Sequence, residues 1–183
     1  MNLLRLIPLA GVLWLLFVGA RPATITYTTI DDATSRCRFS FPTGYRLDSD
    51  GDAAVYSLES EGIAFEVNRF YTGNTFGVNS PSLPIRKTNA STTIDYEDVF
   101  VEGLRLTTEG QILSQTNVTV NNRQGRDMEL MFYTEDGVQR RMTVRFFWAG
   151  NSMIAFSTTW AVSSDGTTKN DAKQTLFNSV QFY

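Results

Sequence analysis

No histidine occurs anywhere in this chain, and cysteine occurs once. Without imidazole there is no Ser-His-Asp or Cys-His catalytic pair, no histidine-ligated zinc and no histidine-ligated haem. The lone Cys37 forms no internal disulfide and lies too far past the apolar leader for lipid attachment. It alternates in phase with Phe39 and Phe41, so it reads as a buried small hydrophobe. Basic clusters are missing too. Nothing larger than Arg140-Arg141 appears, in a chain of formal net charge -3 whose acidic residues all lie beyond the leader. Duplex recognition neutralises phosphates with grouped Lys and Arg, so no nucleic-acid partner is expected. Internal repeats and low-complexity tracts are also absent.

What is present is a run of β-reading segments from Gln111 to Val162, joined by tight turns into one antiparallel meander. With period two, Val138, Met142, Val144, Phe146 and Trp148 share one face, while Gln139, Arg141, Thr143 and Arg145 share the other. Asp136-Gly137 and Gly150-Asn151 mark reversals, since two-residue hairpin turns need the positive φ that Gly, Asn and Asp tolerate. Upstream, Cys37 to Phe41 alternates, and Ala54 to Leu58 with Ile63 to Phe70 reads as a hairpin about Glu61-Gly62. Thr93 to Thr107 has helix features: Thr92 and Asp95 resemble a capping box, and acidic residues suit the positive end of the helix dipole. Asn170 to Val180 reads as a second helix, with Ala172, Leu176, Phe177 and Val180 inward. The expected fold class is α+β: a twisted antiparallel sheet of about six or seven strands flanked by helices, preceded by one N-terminal hydrophobic helix.

From Leu3 to Ala20 nearly every residue is apolar, apart from Arg5 and Pro8. Helix at about 1.5 Å rise per residue would make this run roughly 27 Å long, at the lower edge of what spans a hydrocarbon core. Val18-Gly19-Ala20 also offers a cleavage site, so a signal peptide and a membrane anchor both remain open. The expected division is a leader at 1–20, a polar tether at 21–35 and one domain at 36–183. Leu3, Leu13, Trp14, Leu16 and Phe17 would contact lipid.

At this point the pattern of elements resembles a known group. Phe39-Ser40-Phe41-Pro42-Thr43-Gly44-Tyr45 is similar to the opening of the PsbP-like and Mog-type α/β/α sandwich proteins. Leu176-Phe177-Asn178-Ser179-Val180-Gln181-Phe182 resembles their closing segment. The resemblance covers Arg36 to Tyr183. It implies a non-catalytic role of the kind taken by extrinsic subunits and assembly factors of photosynthetic complexes and by bacterial envelope proteins. Metal binding proposed for some members uses histidines, which this chain lacks, so no family metal site carries over.

Among candidate sites, Asp48, Asp50 and Asp52, with Glu59 at position twelve, resemble a calcium loop. Position six is Ala53 where the sharp turn needs Gly, and the flanks read as strands, so a solvated acidic hairpin turn is the main expectation. Glu66, Asp127, Glu129 and Glu135 offer carboxylates for acid–base work of the glycosidase type, but nothing in their spacing selects two of them. Cross-strand pairing with Arg140, Arg141 and Arg145 is the simpler reading. The loop from Thr72 to Ser91 is long for a compact domain, which makes Phe76, Val78, Leu83 and Ile85 candidate partner contacts. Phe147 beside Arg145 is a further candidate anchor if exposed, and core if covered.

The function these residues and the resemblance imply is a non-catalytic, exported, membrane-tethered accessory or assembly subunit of a membrane-protein complex, of photosynthetic type by the resemblance. No cofactor is expected. The bilayer, met through residues 3–20, and the subunits of that complex would be its partners. The expected location is the bacterial inner membrane with the domain in the periplasm, or the periplasm itself if the leader is cut. The alternative is a small-ligand-binding or weakly enzymatic envelope protein with an apolar pocket between sheet and helix.

Overall fold

A computed structural model describes residues 24–50, 53–71, 96–149 and 152–183. The strands are β1 (Tyr27–Asp32), β2 (Cys37–Pro42), β3 (Arg46–Asp50), β4 (Ala53–Ser60), β5 (Ile63–Tyr71), β6 (Gln111–Val120), β7 (Arg123–Tyr133), β8 (Gln139–Ala149), β9 (Ser152–Ala161) and β10 (Gln181–Phe182). Two α-helices, α1 (Tyr96–Thr108) and α2 (Thr167–Asn178), interrupt them. The strands form a three-stranded sheet in the order β1-β2-β10 and a seven-stranded sheet in the order β3-β4-β5-β9-β8-β7-β6. All paired neighbours run antiparallel.

This corrects the expected helix-flanked α+β sheet. The described residues form a β-rich sandwich of two sheets, because β1, β2 and β10 supply a second sheet where a helical layer was expected. Two consequences follow for the boundaries. Residues 27–32, expected in the tether, form β1, with Ile30 and Asp32 buried and Thr29 and Asp31 exposed. The leader, with Leu3, Leu13, Trp14, Leu16 and Phe17, lies outside the described residues, as do Phe76, Val78, Leu83, Ile85 and Asp52. No helix among the described residues is long and apolar enough to cross a membrane, so the expected inner-membrane placement has no support here.

The core lies on both faces of the large sheet. Between the sheets, Phe39 and Phe41 of β2 meet Phe65 of β5, Phe147 of β8, Phe156 and Trp160 of β9, and Leu176 of α2. The aromatic pairs stand edge to face, as ring quadrupoles favour; Phe39 and Phe156 have centroids 5.3 Å apart. On the opposite face Val101 of α1, with Phe100 and Leu104 beside it, covers Met128, Leu130, Val144, Phe146 and Met153. Central β9 is therefore buried on both sides, and its polar Thr158 is satisfied by the Thr143 hydroxyl at 2.8 Å. Gly125 of β7 sits opposite Phe147, where a Cβ would collide with the Phe146 carbonyl and the Phe147 ring.

One ion pair crosses between the sheets. Arg69 Nη1 of β5 lies 2.5 Å from Asp32 Oδ1 of β1, and both side chains are almost wholly buried, at 6% and 4% exposure. Asp32 also accepts from the Thr34 backbone N–H at 3.2 Å and the Ser35 hydroxyl at 3.1 Å. Beside it, burial with the added repulsion of the Asp32 charge pushes the Cys37 thiol from 9.0 up to about 12.

Removing one member of a buried pair strands the other charge. Arg69→Met should therefore lower the unfolding free energy by about 3–5 kcal/mol in urea titrations, and D32L/R69M should cost less than R69M alone. For Cys37 the folded state keeps its proton to about pH 12, whereas the unfolded chain loses it near the ordinary thiol value of 9.0. That share of stability is intact below the lower value and is lost as pH rises toward the upper one. Cys37→Ala should flatten the alkaline fall in stability, and iodoacetamide should label Cys37 only once the chain is unfolded.

Candidate functional site

The small sheet and α2 cover only part of the inner face of the large sheet. Along β6 the residues on that face change character: Val118 and Val120 pack against the core, while Ser114 and Thr116 do not. Beyond the cover, a cleft of about 280 Å³ opens between α2 and the β6–β7–β8 side of the sheet. Its floor is set by register. Ser114, Glu129 and Thr143 lie side by side on β6, β7 and β8, and Thr116, Asp127 and Arg145 form the next row. Lys173, Gln174 and Phe177 of α2 form the wall.

The charges on this floor are tightly tied. Arg145 holds Asp127 through two parallel bonds of 2.7 Å, donates to the Phe177 carbonyl at 3.0 Å, and lies 5.0 Å over the Phe177 ring. A guanidinium suits all three because it is planar, always charged and carries several donors in a fixed fork. It also places a cation against the C-terminal end of α2, where the dipole favours one. Next to it, Arg141 lies 3.3 Å from Glu129 and 3.1 Å from Asp165, and Asp165 in turn accepts from the Trp160 indole N–H. Lys173, half-buried at the wall, has no ion-pair or hydrogen-bond partner among the described residues.

The structure sorts the residues singled out from sequence. Asp127 and Glu129 share the cleft floor, each against an arginine across the strand. Glu66 points to the other face of the sheet, and Glu135 lies in the exposed β7–β8 turn. The calcium reading fails on spacing. Asp48 opposes Val55 on the β3–β4 hairpin, so Glu59 lies four residues further along β4, about 13 Å at 3.3 Å per residue. Asp48 is paired instead with Arg46 at 2.9 Å on the exposed surface. Among the described residues no group of three or more His, Cys, Asp or Glu is placed to hold a metal. Phe147, at 1% exposure against Phe156 and Phe182, belongs to the core and cannot act as a surface anchor. Ser114, Thr116 and Lys173 went unnoticed in sequence, because the cleft joins segments about sixty residues apart that share no local pattern.

No family model matches the chain, and no curated protein does. Solved structures do. The solution structure of a cyanobacterial PsbP, CyanoP, from Synechocystis superposes with a TM-score of 0.57 at 15% identity, over 90% of this chain and 96% of that one. The fold is PsbP-like. LpqN, described as involved in cell envelope biogenesis of Mycobacterium tuberculosis, gives a TM-score of 0.46 at 12% identity over 86% and 90% of the two chains, too loose a match to argue from. Nothing in these matches bears on the Mog-type half of the resemblance. Identities this low speak for the fold and leave the chemistry of the cleft to its own side chains.

That chemistry predicts unequal arginines. Arg145→Lys keeps the charge but loses the fork and the ring contact, and should cost about 1–2 kcal/mol by urea denaturation. Arg46→Lys, at an exposed pair, should cost less than about 0.5 kcal/mol.

Proposed function

We propose that this chain is a non-catalytic, exported accessory protein that acts by docking onto a larger assembly. The observation that carries this reading is the cleft, an open polar surface whose two carboxylates are both engaged by guanidiniums. An acid–base pair of the glycosidase type needs one carboxyl free to give a proton to the substrate and the other free to meet water or a sugar carbon. Here Asp127 gives both oxygens to Arg145, and Glu129 sets one oxygen 3.3 Å from the Arg141 guanidinium in an ion pair, so each carboxylate faces a fixed cation. A surface that is charged, internally neutral and fixed in place suits recognition, where charges across an interface set orientation and partner choice.

Two further features support docking. The leader from Leu3 to Val18-Gly19-Ala20 has the composition of an export signal. The PsbP-like fold supports membership of that family, and with it an accessory place beside a complex of photosynthetic type. The small-ligand alternative expected an apolar cavity with convergent polar groups; the cleft has Met128 and Phe177 as its large apolar lining, and its other lining residues are polar or charged.

In-cell cross-linking followed by native isolation should recover the chain in a particle well above its own 20.5 kDa, together with a constant set of other subunits. Recovery as a lone monomer under the same conditions would count against docking. A hydrolytic turnover that D127N and E129Q both abolish would replace it with an enzymatic reading.

A further inference from the structure

The two edges of the seven-stranded sheet are built differently. β3, at one edge, is five residues long and carries Arg46, Asp48 and Asp50, all exposed. Short length and charge are the usual means of stopping a sheet edge from pairing with another chain. β6, at the other edge, is ten residues long, is mostly exposed, and has neither a charged residue nor a proline from Gln111 to Val120. A register shift between Ile112 and Ser114 marks only its start. Its outer edge pairs with no described strand, and its inward side chains Ser114 and Thr116 form the rim of the cleft.

We propose that β6 receives an extended segment of a partner protein as an eighth strand, with a carboxylate on the segment's cleft side meeting Lys173. The proposal rests on the docking reading above and names the surface and the chemistry of the partner. Backbone pairing along β6 supplies affinity, and alternate side chains supply selectivity, as in strand addition generally. An inward side chain on the added strand would stand beside Ser114 or Thr116, under the overhang of α2. Lys173 stands there with no partner among the described residues, whereas Arg145, the other cation lining the cleft, is already paired.

Charge also argues against other occupants. In a twofold pairing of β6 with a second copy, the added strand has no acid to offer Lys173. The stretches of this chain outside the described residues are equally poor in acid: residues 1–23 and 150–151 have none, 72–95 have only Asp95, and 51–52, with Asp52, are too short to supply a strand. Asp95 directly precedes α1, which packs on the opposite face of the sheet.

The test uses the full chain and synthetic decapeptides of alternating Val and Thr, with a single Glu, or Gln in its place, walked through the inward positions. Amide hydrogen exchange should slow at alternate residues of β6 on adding the Glu peptide. The best Glu peptide should bind about tenfold more tightly than its Gln twin, the difference between a charge-assisted and a neutral hydrogen bond. K173Q should remove that preference while keeping the fold. N–H groups on an edge strand alternate between neighbour and solvent, so one of T116P and N117P should abolish binding. The same peptide N-methylated at alternate residues tests backbone pairing without altering the protein.

Protection that falls on β3 or on the helices overturns the proposal, as does equal binding of Glu and Gln peptides. Protection of β6 without peptide, alongside a concentration-dependent dimer mass, assigns the edge to a second copy and overturns it too. A cross-linked partner touching another surface would sink this assignment and leave the docking reading standing. Finding no partner at all would sink both.

Discussion

The Asp32–Arg69 pair is the constraint on which the two-sheet arrangement depends. A carboxylate on an inward position of a strand is incompatible with an apolar interface unless a cation reaches it, since desolvating a lone charge costs several kcal/mol. Arg69 supplies that cation from the middle of the chain's large sheet, so β1 can only dock where β5 presents it. The Thr34 N–H and the Ser35 hydroxyl complete the carboxylate's shell and close the turn that brings β2 back beside β1. The pair thus selects one register for the small sheet, while the aromatic contacts of Phe39 and Phe41, being less directional, supply most of the burial.

What the small sheet leaves uncovered decides where function can reside. Val118 and Val120 on β6 are apolar because core side chains lie over them; four residues earlier the cover ends and the same face turns to Ser114 and Thr116. Similarly on β8, Phe147 is enclosed, and Arg145 and Thr143 follow toward the open side. A change of polarity along one face of a strand, without a change of phase, marks the limit of the layer above it.

That explains what could be read from the sequence and what could not. The meander β6 to β9, the hairpin at Glu61-Gly62, and the burial of Cys37 follow from local alternation and turn chemistry. Gly62 and Gly137 do take positive φ. β1 escaped because its inward positions are Ile30 and Asp32: an acid in a core slot breaks the apolar period, and its partner is thirty-seven residues away. The second sheet escaped for a related reason, since β10 is two residues long and joins β2 from the far end of the chain. The cleft carries no local signature at all. Its carboxylates were visible as residues, and their arginine partners as candidates for cross-strand pairing, but Lys173 acquires meaning only when α2 is laid over β7.

A fold shared at 15% identity needs only the pattern of buried positions to persist, so likeness to CyanoP constrains the core and says little about the rim. The rim has its own logic. Arg145 bridges β7, β8 and the last turn of α2, so the helix cannot shift relative to the sheet without breaking charged bonds on both sides. A wall and floor fixed in this way cost little further ordering when something enters between them, and ordering is what most weakens association. The pairing of Asp127 with Arg145 that stiffens the cleft lies beside an edge strand, a row of hydroxyls and the Lys173 amine, which has no partner among the described residues.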